Sequence, residues 1–145
     1  MKHGLLSQAV LLPDDNENEL LALRKRYHQE LRPSGELEEL LTEKIITAAW
    51  RLRRVLAVEV DVFQVERHDL FGVEKSLGYA FGQAARGGDQ FVKLSRYEVA
   101  LERSLYRALE ELRSLQHQRR AVTVATERKL TPADASPAEG EVPGE

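Results

Sequence analysis

The sequence contains no cysteine, which removes disulfides, thiol nucleophiles and cysteine-based zinc or iron–sulfur sites, and suits a reducing cytosol. No uncharged apolar run approaches the roughly 20 residues needed to span a bilayer. The opening "MKHGLLSQAVLL" has one lysine and a short apolar stretch, but Gln8 interrupts it and Pro13 ends it. No small-residue cleavage pattern follows, so no secretory signal is expected. There is no Walker loop, GxGxxG, HExxH or nucleophile elbow. Strong charge of one sign is missing too: 21 basic residues stand against 24 acidic ones. Only residues 90–120 have a basic balance, a weaker footprint than a dedicated duplex-DNA binder carries.

What the sequence does have is helical periodicity. A chain of 145 residues fits one domain that buries only about two thirds of its unfolded surface, so each apolar helix needs cover. Over residues 14–31, Asp14, Asp15 or Asn16 can cap a first helix whose Leu20, Leu23, Tyr27 and Leu31 share a face. Pro33, Ser34 and Gly35 end it. The second helix places Leu37, Leu40, Leu41, Ile45, Ala48, Ala49, Leu52, Val55 and Leu56 at spacings of three and four. Its continuation "VLAVEVDVFQV" alternates with period two, so a strand competes. A lone strand would leave its edges unpaired, and the expectation is helix to about residue 66.

Glycine-bearing residues 67–89 predict a short helix through "VEKSLGYAFGQAA", with Val73, Leu77, Phe81 and Ala84 on one stripe. Asp89 then offers a cap for a third long helix, residues 90–121, whose seam runs through Phe91, Leu94, Tyr97, Leu101, Leu105, Ala108, Leu112 and Leu115. The expected fold is all-α: three main helices with the long pair antiparallel, a short fourth helical segment and a disordered C-terminal tail. Residues 1–13 are expected to be an extended segment, 14–122 a single helical domain, and 123–145 a disordered acidic tail rich in Pro, Ala, Glu and Gly.

Helix length has a consequence. At ~1.5 Å per residue the second and third helices are each ~45 Å long and the first only ~25 Å. Apolar surface near residues 58–65 therefore needs a cover, either the 67–85 segment or a second chain.

The polar constellations are modest. Arg51, Arg53 and Arg54 flank Trp50, and Arg96, Arg103 and Arg107 repeat along the third helix. Together they form a candidate phosphate-binding stripe with an aromatic for base stacking. The competing account places Trp50 at the core edge and gives the arginines to ion pairs and helix register. Glu66, His68 and Asp69 are the only close histidine–carboxylate group, and they sit at a helix end where solvated polar residues are ordinary. No metal and no cofactor is expected. Glu43, Glu98 and Arg103 are the least implausible buried polar set for an enzyme.

Three stretches, "KHGLLSQAVLLP" at 2–13, "LRPSGELEELLTEKIITAAWRLRR" at 31–54 and "LSRYEVALERSLYRALEELRSLQ" at 94–116, carry a resemblance. The chain resembles a group of small uncharacterised bacterial proteins with an RHGL or KHGL element, a helix ending in WRLRR and a C-terminal RYE…LER…LYRAL helix. Some of that group bear automatic labels connected with mobile DNA. The relatives often have a basic arm upstream of the HGL element, whereas Met1 here directly precedes Lys2, His3 and Gly4. An upstream start codon therefore stays open.

The functional expectation is a non-enzymatic, cytoplasmic interaction protein that forms a homo-oligomer or binds a helical protein partner. Its interface would be the seams at Leu52, Val55, Val62, Leu94, Leu101, Leu105 and Leu112. The alternative is a nucleic-acid-associated accessory protein of a mobile element, acting through the arginine stripe. No membrane association is expected.

Overall fold

The computed structural model describes residues 10–13, 15–67, 73 and 75–130. These form α1 (Glu17–Leu31), α2 (Glu36–Arg67), α3 (Leu77–Arg86) and α4 (Gln90–Leu130). The fold is all-α, and the chain is helical through residues 58–65. The period-two valines lose to the helix because α2 has helical neighbours to pack against and no strand partner among the described residues.

Each helix start has a local cause. Asn16 caps α1, its side chain accepting from the Asn18 amide at 3.0 Å. Ser76 caps α3 by accepting from the Tyr79 amide at 3.2 Å. Asp89 precedes α4, and its carbonyl accepts from the Lys93 amide at 2.9 Å, but its backbone is left-handed with φ 57°. Between α1 and α2, Arg32 takes a left-handed φ of 45° and Gly35 one of 84°. Gly35 suits such a backbone at little steric cost, whereas Arg32 closes α1 by donating its amide to the His28 carbonyl.

The long helices are antiparallel. Glu38 near the start of α2 meets Gln116 and Arg119 of α4, Ile45 packs with Ala108 and Leu112, and Phe63 meets Phe91. Numbers rise along one helix as they fall along the other. Ile45 and Ala108 are both fully buried, and the alanine lets the two backbones approach at this crossing. Tyr27 and Leu31 of α1 close one side of this cluster. A second cluster joins Leu20 and Leu23 of α1 to Ile46 and Trp50 of α2, with Val10 and Leu11 packed against it. Val10 and Leu11, at the end of the expected extended segment 1–13, pack against this cluster, and residues 1–9 lie outside the described residues.

At the other end, α3 packs on both long helices, where Val62 and Phe63 are half-buried while Val58, Val60 and Val65 stay exposed. Its buried face is Ala80 and Ala84, while Leu77 and Phe81 remain exposed. The expected stripe through Val73, Leu77 and Phe81 is corrected. Small residues allow a close approach to α2, and Phe81 instead stacks its ring on Phe91 at 5.4 Å. A further correction concerns the end of α4, which continues as helix to Leu130. The tail expected from residue 123 begins no earlier than 131, and residues 131–145 lie outside the described residues.

Candidate interaction surface

Three carboxylates stitch the α1 end together, and each has its partners within the fold. Glu43 of α2 accepts at one oxygen from Arg24 Nε at 2.9 Å and Nη2 at 2.6 Å, with His28 Nε2 at 2.9 Å. His28 Nδ1 lies 3.5 Å from Glu39. Glu38, only 4 % exposed, accepts from the Ser34 amide at 2.9 Å, approaches Gln116 Nε2 and Arg119 at 3.4 Å each, and thereby ties α4 to the α1–α2 corner. Gln116 Nε2 also donates to the Leu31 carbonyl at 2.7 Å.

Asp15 is the third. Its carboxylate accepts from Arg54, from the Trp50 indole at 3.4 Å and from the Leu12 amide at 2.8 Å. Burial works against the charged form of Asp15, but the Leu12 amide and the Arg54 and Trp50 donors outweigh it and hold the carboxyl below its usual value.

These contacts divide the expected arginine stripe. Trp50 is 6 % exposed and faces the core, so it offers no stacking platform. Arg54 is committed to Asp15 and, at 2.8 Å, to the Val10 carbonyl. Arg53 lies 5.7 Å over the Trp50 ring and 4.0 Å from Glu19. Arg51 faces the cleft between α2 and α4 beside Leu101 and Ser104. On α4, Arg96, Arg103 and Arg107 are exposed and make no ion pair among the described residues. The stripe is therefore two separate groups, one of them largely structural.

The seam residues differ in exposure. Val55, Leu101 and Leu112 are buried and Leu52, Val62, Leu94 and Leu105 are half-buried. The buried three pack within the chain, Leu101 also lining a cleft between α2 and α4, while the half-buried four keep part of their surface open. Two leucines of α2 are among the exposed apolar residues. Leu37 is 65 % and Leu40 61 % exposed, although sequence spacing put both on the packed face of α2. With Leu41, Glu111, Ser114 and Leu115 they line a cleft of about 400 Å³ between α2 and α4. Leu40 also lines an adjoining cleft of about 410 Å³ with Thr47, Ala48, Arg51, Leu101 and Ser104. The two form one groove along the long helices.

Glu43, Glu98 and Arg103 do not converge. Glu43 is held by α1, Arg103 is exposed, and Glu98 lies on α4 between Phe91 and Leu101, toward the α3 end. Among the described residues no group of three histidine or acidic side chains could hold a metal ion. Of Glu66, His68 and Asp69, the last two lie outside the described residues. No helix among the described residues is long and apolar enough to cross a membrane. No family model, curated protein or solved structure matches the chain.

Proposed function

We propose that the protein is a non-enzymatic, cytoplasmic helical interaction protein that works by self-association. The observation that carries this is the groove between α2 and α4, where Leu37 and Leu40 stand open to solvent beside a cleft of about 400 Å³. A row of exposed leucines beside a cleft with polar rims is the ordinary form of an interaction surface. The role of the carboxylates supports the same reading. Asp15, Glu38 and Glu43 each commit one carboxylate oxygen to contacts that hold helices in place.

Light scattering after size exclusion, over a series of loading concentrations, tests it. Self-association predicts a mass that rises above the 16.5 kDa of the single chain as concentration increases. A mass fixed at that value up to high micromolar loading contradicts it.

A second reading, an accessory protein of a mobile element that binds nucleic acid, is favoured by one observation. Arg96, Arg103 and Arg107 are exposed on one helix without an acidic partner among the described residues. Trp50 and Arg54 no longer belong to that reading, because both are engaged by Asp15.

A further inference from the structure

The end of α4 projects beyond the corner where α1 ends and α2 begins. Gln116 and Arg119 are level with Leu31 and Glu38, where α1 ends and α2 begins. Residues 120–130 extend past that corner for roughly 16 Å, and every residue from 120 to 129 is exposed. Val122, Thr123, Val124 and Thr126 are β-branched and weak helix formers, and a helix end of this length is marginal without packing. Such a tip gains from a groove to lie in.

The groove between α2 and α4 has the matching length and chemistry. It runs from Leu37 to Arg51, roughly 21 Å of helix, and Thr47, Ala48, Ser104 and Ser114 keep its walls low enough for a helix backbone to approach. At its outer end Glu111 lines the groove and Glu36 is exposed beside Leu37, while Lys44 and Arg51 line its inner part. The tip has a basic excess, with Arg120, Arg128 and Lys129 exposed against the one carboxylate of Glu127. Leu115 in the groove and Val122 on the tip lie seven residues apart, so the tip's apolar stripe continues the groove's own face.

We propose that the α4 tip of one copy lies antiparallel in the α2/α4 groove of a second copy, and the second copy's tip in the groove of the first. The exchange is two-fold symmetric and closes on itself. This rests on the self-association reading and names its surface. In this arrangement Val122 and Ala125 cover the partner's Leu37 and Leu40, and Arg128 and Lys129 meet the partner's Glu111. Lys44 of α2, level with Glu111, repels the tip's basic end and limits how far it enters.

Sedimentation velocity and native mass spectrometry on the full chain test this with two charge-reversed variants, Glu36→Lys/Glu111→Lys and Arg128→Glu/Lys129→Glu. All four positions are exposed, and far-UV circular dichroism confirms that each variant keeps its helix content. Each variant alone self-associates roughly tenfold or more weakly than the unaltered chain. Mixed in equal amounts they form a heterodimer, because both exchanged contacts then pair opposite charges. An unaltered chain that dimerises while neither variant is weakened, or variants that fail to rescue each other, overturns this surface and leaves self-association standing. An unaltered chain that stays monomeric at every concentration overturns both.

Discussion

Arg54 reaches back thirty-nine positions to the carboxylate of Asp15, and through it the segment before α1 is fastened to the middle of α2. The same guanidinium holds the Val10 carbonyl at 2.8 Å. An arginine that resembles a phosphate ligand in sequence is a structural tie in the fold.

Replacing Asp15 with Asn leaves Arg54 and Trp50 without a charged acceptor in a half-buried site. The expected loss is about 2 kcal/mol of stability, the usual scale for a hydrogen bond to a charged group. Urea denaturation measures it directly. An unchanged midpoint would show that the tie is dispensable.

The same carboxylate sets a pH dependence. The folded-state pKa of Asp15 lies below the ordinary aspartate value of 3.8, so the unfolded chain takes up this proton first as pH falls. The stabilisation is complete above that value and is lost as pH drops below it, through the lowered folded-state pKa. Stability curves of the unaltered chain and Asp15→Asn should therefore converge in acid. Parallel curves through that range would contradict the assignment.

Glu43→Gln removes the charge shared by Arg24 and His28 while keeping the side chain's shape. About 2 kcal/mol of destabilisation is expected, with loosening of α1 against α2. Hydrogen exchange should rise in α1 before it rises in α4. A uniform increase in all helices would point to global unfolding instead.

Phe91→Ala removes the ring that Phe63 approaches at 4.5 Å and Phe81 at 5.4 Å. The expected cost is about 3 kcal/mol, concentrated at the α3 end, where exchange of the α3 amides should accelerate most. The Ile45 cluster lies at the α1 end of the long pair and should keep its protection.

Labelled single-stranded and double-stranded nucleic acids separate the two functional readings. The self-association account predicts no salt-sensitive rise in anisotropy at low salt. Binding that weakens steeply with salt and disappears in Arg103→Glu/Arg107→Glu would transfer function to the α4 arginines.

Much of the fold is legible in the spacing of leucines, because a three-and-four repeat sustained over many turns has few alternatives to helix. The short helix was legible as an element but not in its orientation. Phe81 looks like a core residue in sequence, yet Ala80 and Ala84 make the buried contact because closeness to α2 favours small side chains. The pairs Asp15–Arg54 and Glu38–Arg119 were not legible. They join residues far apart in sequence, and nothing local distinguishes Arg54 from its neighbours Arg51 and Arg53. Leu37 and Leu40 show a similar limit. Periodicity placed them on an apolar face, but it could not show that α1 and α4 leave that part of the face uncovered.

The central claim is that the open α2/α4 face is covered by a second copy of the chain. Hydrogen exchange of the α4 tip, followed from low to high micromolar protein, tests it most directly. The account predicts that amides in residues 120–130 gain protection as concentration rises while those around Ile45 and Ala108 stay unchanged. Exchange in the tip that is fast and independent of concentration would contradict it.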